Sequence, residues 1–436
     1  MEGMISVDEW KEGSQLYFLT HLHSDHMKGL SSNWNKGPLV CSPITAKLFP
    51  YKFTDFDLSL LRVLEIGPTY SFSLLSPFSQ LETEVQVTLI DADHCPGSVM
   101  YLFRGDKFKC RLYTGDFRWE ATSERALLAK TKLLNALGND TIDYLYMDNT
   151  YCNPLYSFPP REVIAQQVID IIASHPEHDV IIAVNTLGKE DLLLRISRAL
   201  NIKIWVRPER LQTMRLLGFG DIFTTNRSLT RVRAVPMYSF GIKTLEELNV
   251  LSTLEDYKAL LIRPTIGILP SGLPWLMRGS NENDYSCGSD KSNIAAVPGA
   301  QVHKCKQVEG SSSFTKIGRY IYSLPYSDHS CFDELQEFIK LVQPLSLKGI
   351  VLSEHCNVDP CHYLGHLCKP DQVTEQPRKK LPRKDKPVVG CSKSFKRKKY
   401  MKFCKVRRSR VSLLRRLRCG AKITESVTAG CSISDS

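Results

Sequence analysis

The run His21-Leu22-His23-Ser24-Asp25-His26 constrains this chain more than anything else in it. It follows directly on residues 15–19 (QLYFL), an apolar and aromatic segment that reads as a buried strand. His21 and His23, two positions apart, leave an extended backbone on the same side and can converge on one ion where the strand bends. Asp25 and His26 lie beyond the bend and face a second ion. Imidazole with carboxylate suits Zn²⁺ and related divalent metals. Two such ions close together can activate water and stabilise the leaving oxygen of a phosphodiester.

Two metals need more ligands than one loop supplies. Asp91-Ala92-Asp93-His94-Cys95-Pro96-Gly97-Ser98 puts another His at a strand end, after residues 85–90, with Pro-Gly turning the chain. Tyr113-Thr114-Gly115-Asp116-Phe117-Arg118 puts a carboxylate at the end of the strand 109–113. Each alone is an ordinary turn. Following the first motif in this order, His94 completes the first ion's set and Asp116 can bridge both.

The rest of the first 150 residues reads as further strands (38–42, 98–103 and 143–147), the last running into Asp148-Asn149-Thr150. The rhythm then changes. Residues 161–174 carry apolar side chains at helical spacing (Val163, Val168, Ile171, Ile172) behind Pro159-Pro160. A strand at 178–185, a helix at 190–200, a strand at 203–206, a helix at 208–217 and a strand at 265–269 follow. This alternation predicts a parallel sheet with helices on its faces. Residues 271–314, rich in Gly, Ser, Asn and Lys without periodicity, are expected to be a disordered insertion. Order is expected to resume with a strand at 320–324 running into Pro325-Tyr326-Ser327-Asp328-His329-Ser330, then a helix at 332–342 and a strand at 347–352.

Together HLHSDH, DADHCPGS, TGDFR, MDNTYCNP and PYSDHS resemble the metallo-β-lactamase nucleases that carry a β-CASP insertion, and within them the DNA cross-link-repair branch with its 5′-exonucleases. The resemblance covers about residues 4–353 apart from the insertion. It implies an α/β fold, an αββα sandwich of two sheets with the metals at one edge. The implied division is a metallo-β-lactamase part over 1–150, an inserted β-CASP domain over 151–318, a return over 319–370, and a disordered basic tail over 371–436.

The resemblance also implies roles. His21, His23, His94 and Asp116 match one metal site, and Asp25, His26, Asp116 and His329 the other, with Asp25, His26 and Asp116 as the catalytic residues. Asp8, in Ile5-Ser6-Val7-Asp8, matches an acid that holds the metal loop. Asp148, Lys189, Ser327 and Ser330 match a pocket for a terminal 5′-phosphate. Lys189, after Gly188 at a helix start, suits an anion on physical grounds as well. Cys331 stands where relatives have a second Ser, which removes one hydroxyl from that pocket. On this reading Asp25→Asn abolishes cutting, and Lys189→Ala weakens the preference for 5′-phosphorylated ends.

The implied activity is a metal-dependent 5′-to-3′ DNA exonuclease acting in cross-link repair or end processing. One or two divalent ions, Zn with Mg or Mn as substitutes in vitro, would serve it. The substrate would be single-stranded DNA or DNA with a free 5′-phosphorylated end. RNA-processing β-CASP enzymes carry a His where this chain has Ile350-Val351-Leu352, which favours DNA, although His355 lies close by. The alternatives are an RNA-processing endonuclease, a small-molecule hydrolase, or a DNA-binding scaffold without activity; the last would be expected to have lost ligands, and none is missing. His355, Cys356, Cys361, His362, His366 and Cys368 fit no standard zinc spacing.

Charge locates a partner. Of 57 Lys and Arg, 19 lie between Arg378 and Arg418 with a single acid, Asp385, so the remainder is mildly acidic. Such a tail suits a nuclear import receptor and adds salt-sensitive affinity for DNA, which places the protein in the nucleus. The 14 scattered cysteines are expected to be reduced, the chain has no apolar run long enough for a membrane, and a monomer is expected.

Overall fold

The computed structural model describes residues 4–77, 79–251, 263–272, 314–317, 319–351 and 359–369. Leu16–Phe18 shows how the layers arise. Side chains alternate along a strand, so Phe18 faces one apolar layer while its neighbours Tyr17 and Leu19 face another. This strand belongs to a four-stranded parallel sheet with Ile5–Val7, Leu39–Cys41 and Leu61–Val63. On one side Phe18 and Val40 meet Val85, Val87 and Leu89 of Glu82–Asp91. On the other, Tyr17, Leu39 and Cys41 meet Leu48 and Phe49 of the helix Pro43–Lys52.

Glu82–Asp91 lies in a six-stranded sheet, in spatial order Ser346–Gly349, Tyr144–Met147, Arg111–Tyr113, Val99–Arg104, Glu82–Asp91 and Thr69–Leu75. The far face of that sheet, through Met100, Leu102 and Leu112, packs on Leu133 and Leu137 of Glu124–Leu137 and on Phe338 and Ile339 of Phe332–Val342. Helix, sheet, sheet, helix is the αββα sandwich expected from the sequence. The loops that leave Leu16–Phe18, Glu82–Asp91, Arg111–Tyr113 and Tyr144–Met147 carry the candidate site.

A seven-stranded sheet runs Phe223–Thr224, Ile204–Trp205, Val232–Pro236, Asp179–Val184, Thr265–Pro270, Ile321–Leu324 and Thr315–Ile317. Every pairing is parallel except the last. Its core takes Ile164, Val168 and Ile172 from Arg161–Ala173 and Leu192, Leu193 and Ile196 from Glu190–Leu200. Ile321–Leu324 pairs with Thr265–Pro270, so the chain leaves this sheet after Leu324, whereas the sequence reading divides the domains at 318.

The closing strand also differs from expectation. It is Ser346–Gly349 and stops before Ile350, because the Asn149 side chain captures the backbone beyond it. Asn149 Oδ1 accepts the Val351 N–H at 2.8 Å and its amide donates to the Val351 carbonyl at 3.4 Å. The helix Pro43–Lys52 is not apparent from sequence, since Pro50 reads as a breaker; it sits in the last turns, and Ser42 caps the start. Five of the cysteines, Cys41, Cys95, Cys110, Cys152 and Cys331, are buried free thiols. No described helix is long and apolar enough to cross a membrane. The insertion between 273 and 313, His355, Cys356 and the basic tail from 370 onward lie outside the described residues.

Candidate metal centre and substrate cavity

Asp8 organises the first loop. Its backbone is left-handed (φ 51°), its N–H donates to the Phe18 carbonyl, and its carboxylate reaches across to Thr20 and His26. The hydrogen-bond chain settles which imidazole nitrogens carry protons, because a carboxylate or carbonyl can only accept. Thr20 Oγ1 donates to Asp8 Oδ2 at 2.7 Å and so must accept from His21 Nδ1–H at 2.9 Å, leaving His21 Nε2 bare. His26 Nδ1–H donates to Asp8 Oδ2 at 2.8 Å. His23 Nε2–H donates to the Leu187 carbonyl and His94 Nδ1–H to the Asp328 carbonyl, each at 2.9 Å. His329 Nδ1–H donates to Asp148 Oδ2 at 2.8 Å.

The bare nitrogens converge. His21 Nε2 is fully buried and has no hydrogen-bond partner. His23 Nδ1 and His94 Nε2 face each other at 3.1 Å with both other nitrogens spent as donors. Burial, then the neighbouring His21, pushes His23 down to about 4, and burial with His329 takes His94 well below its ordinary value, so both rings are neutral. Asp116 Oδ2 lies 3.6 Å from both His21 Nε2 and His94 Nε2, and Oδ1 lies 3.3 Å from His26 Nε2. Lone pairs aimed at one another repel unless a cation sits among them, so this donor set fits a divalent metal. The opposite shifts agree with that. Burial opposes charge on His26 and His329, but Asp116 and Asp8 push His26 up to about 11, and Asp148 and Asp116 push His329 up to about 9. Positive charge is favoured where those rings point.

Donor atoms of His21, His26 and Asp116, of His94, Asp116 and His329, and of His21, His23, His94 and Cys95 each lie within 4.8 Å of one another. Asp25 is in none of these groups. Its side chain is 77% exposed on the rim, with Oδ2 3.7 Å from His26 Nε2. Gly115 (φ +54°) explains how Asp116 gets in: a Cβ there would meet Thr20 at 2.8 Å. Cys361, His362, His366 and Cys368 form no candidate metal group among the described residues.

The four residues expected to hold a phosphate each have partners within the fold. Lys189 is buried and its Nζ pairs with Asp328 Oδ2 at 3.0 Å. Asp148 accepts from His329 and from Thr150. Ser327 Oγ donates to the His329 carbonyl and accepts the His329 N–H. Ser330 Oγ donates to the Phe117 carbonyl and accepts the Trp119 N–H. Buried backbone groups need partners, and short polar side chains at strand ends provide them. These residues hold the loops that present Asp116 and His329. Lys189→Met is expected to cost about 3–5 kcal/mol of stability by stranding the buried Asp328, and the ratio of its rates on 5′-phosphate and 5′-hydroxyl ends shows whether Lys189 also serves the phosphate. Thermal melts and paired rate measurements check this.

The metal donors lie at a cavity of about 990 Å³ whose wall includes Lys28, Lys52, Asn185, Thr186 and Tyr238. Sequence reasoning missed all five. Only Lys28, two residues past His26, carried a signal that could have been used.

An ion network braces the site from behind. Arg161, at the start of its helix, pairs with Asp93 in the His94 loop and, through Nε at 2.7 Å, with Glu120. Burial would raise the Glu120 carboxyl, but Arg161 and then Arg118 hold it below its ordinary 4.5. A depressed folded value means the stabilisation is present above about pH 4.5 and is lost as pH falls through the folded value. Glu120→Gln should therefore melt at a lower temperature than the parent at neutral pH, and the gap should close on acidification below that value.

Residues 220–355 match the family described as DNA repair metallo-beta-lactamase. The chain is 36% identical over 397 residues to the 5′ exonuclease Apollo of Gallus gallus, covering 88% of this chain and 71% of that one. It is 36% identical over 354 residues to the 5′ exonuclease Apollo of Danio rerio, covering 80% of this chain and 51% of that one. The DNA cross-link repair protein SNM1 of Arabidopsis thaliana is 29% identical over 340 residues, covering 76% of this chain and 60% of that one.

Proposed function

Since the chain belongs to the DNA repair metallo-β-lactamase family and is a metal-dependent nuclease, we propose that it removes nucleotides in the 5′-to-3′ direction from 5′-phosphorylated DNA ends. The observation that carries this reading is the convergence of the bare His21 and His94 nitrogens on the Asp116 carboxylate, with His23 Nδ1 3.1 Å from His94 Nε2, beside an open cavity with lysines on its wall. His21, His23, His94 and Asp116 would hold one divalent ion, and Asp25, His26, Asp116 and His329 a second, with zinc favoured by the imidazole-rich set and Mg or Mn as substitutes in vitro. Bound there, the metal would supply Lewis acidity for a phosphodiester oxygen and an attacking water. Asp8 and Asp148 accept the Nδ1–H of His26 and His329, which turns each Nε2 toward the site where a metal would bind. Asp116 supplies negative charge at the centre, and Asp25 orients the attacking water from the rim. Lys28 and Lys52 draw the DNA backbone into the cavity.

DNA rather than RNA is supported by Ile350 and Val351, an apolar stretch of the cavity wall where a histidine would serve RNA processing. Two of the relatives are named as 5′ exonucleases and one as a cross-link repair protein, which supports a role in cross-link repair or end processing. The basic tail supports import into the nucleus by an import receptor.

The deciding experiment incubates the protein with 3′-labelled single strands bearing a 5′-phosphate or a 5′-hydroxyl, beside matched RNA. A stepwise ladder on 5′-phosphorylated DNA is expected, lost with a chelator and restored by zinc. Preferential internal cuts in RNA would overturn the reading. Lys28→Ala and Lys52→Ala should each flatten the salt dependence of binding to single strands by about 0.7 in log–log slope, as one phosphate contact is lost.

A further inference from the structure

Tyr238 stands out on the cavity wall. It sits in the short turn Met237–Ser239, just past the strand Val232–Pro236, and is 76% exposed. Scattered exposed aromatics need no explanation. This one is held in place, however. Arg207 Nη1 donates to its hydroxyl at 3.3 Å, the Arg207 guanidinium lies 5.7 Å from its ring centre, and Arg207 Nη2 donates to Ser239 Oγ at 2.9 Å. Its position also matters. Tyr238 and Lys52 line both the metal-side cavity and a second one of about 480 Å³. Beyond that junction the second wall offers another exposed aromatic, Tyr51 (54%), together with Arg207. Arg210 there is spent on buried Glu190, and among the described residues Glu209 is the one acid lining this cavity.

Two exposed rings and two cations on the walls of adjoining cavities, one of them at a metal centre, match what single-stranded nucleic acid needs: faces for bases, charges for phosphates. Building on the nuclease reading above, we infer that the substrate strand runs from the metal centre across this junction, with one nucleobase stacked on Tyr238 and the neighbouring phosphate on Lys52. Arg207 is the positioning residue that holds the ring. Stacking is indifferent to base identity, since every base has a π face, so this subsite lengthens the footprint without adding sequence preference.

The test uses the metal-loaded full chain and 5′-phosphorylated single strands whose linkages are phosphorothioates to slow cutting. The fluorescent base 2-aminopurine is placed in turn at each of the first eight positions. The parent should quench it at one position or two adjacent ones. Tyr238→Ala should lose that quenching and bind about tenfold more weakly, whereas Tyr238→Phe should keep both. Identical quenching in the parent and Tyr238→Ala, or none that depends on position, overturns the inference. The two readings separate cleanly: position-dependent quenching with no ladder on unmodified 5′-phosphorylated strands sinks the exonuclease reading alone, and such a ladder with quenching indifferent to Tyr238 sinks this one alone.

Discussion

Replacing Asp116 by asparagine is expected to lower the rate of DNA cutting by more than about 100-fold, beyond what the loss of a merely supporting residue costs, and to reduce the metal bound per chain. The reason lies in what its carboxylate faces. Oδ2 is 3.6 Å from His21 Nε2 and from His94 Nε2, and Oδ1 is 3.3 Å from His26 Nε2. Burial works against its charge, yet the surrounding histidines, His329 foremost, hold its carboxyl well below the usual range. Asparagine keeps the shape and one acceptor but removes the charge and turns an N–H₂ toward rings or a cation. Metal content by elemental analysis should fall with activity. A variant that keeps both metal and rate would refute the central role of this carboxylate. Asp25→Asn makes a useful contrast: standing exposed on the rim, it should lose cutting while the first ion's set, His21, His23, His94 and Asp116, keeps its metal.

Arg118→Met is expected to cost about 3–5 kcal/mol and to lower the melting temperature by about 10 °C. Arg118 is completely buried, and its Nε pairs with Glu334 at 2.9 Å, in the helix Phe332–Val342. Its Nη1 donates to the Ser327 carbonyl at 3.0 Å and the His329 carbonyl at 3.3 Å. One guanidinium thus ties the Asp116 loop, the His329 loop and a helix start together. Burial already raises the Glu334 carboxyl, and Arg118 is the main group opposing that rise. Methionine fills much of the volume and strands both the carboxylate and the carbonyls. The double variant Arg118→Met with Glu334→Leu removes the stranded charge and should recover part of the loss in a thermal melt. If it recovers nothing, the pair is not what Arg118 contributes.

Lys189 shows where reading from sequence stops. A lysine beside a glycine at a helix start is a sound candidate for an anion site by local rules. The partner that the fold supplies, Asp328, is 139 residues away and sits 3.0 Å from Nζ. Ser330 likewise finds the Phe117 carbonyl across 213 residues, and Asn149 ends a strand by holding Val351 across 202. Tyr238 and Lys52 come from distant segments and meet only on a cavity wall. None of this is periodic, and none of it is local.

By itself the sequence determined what short-range chemistry determines. Alternation at period 2 set Phe18 and Tyr17 on opposite faces and so put a sheet between two layers. The HLHSDH run, His94 and Asp116 followed strand ends, where a backbone that stops pairing can turn its side chains toward a common point. Only the tertiary structure decided which polar groups remained free for a substrate and which were consumed inside. That choice depends on which buried donor or acceptor, hundreds of residues away, would otherwise be left without a partner, and an unpaired buried polar group costs more than a local motif can return.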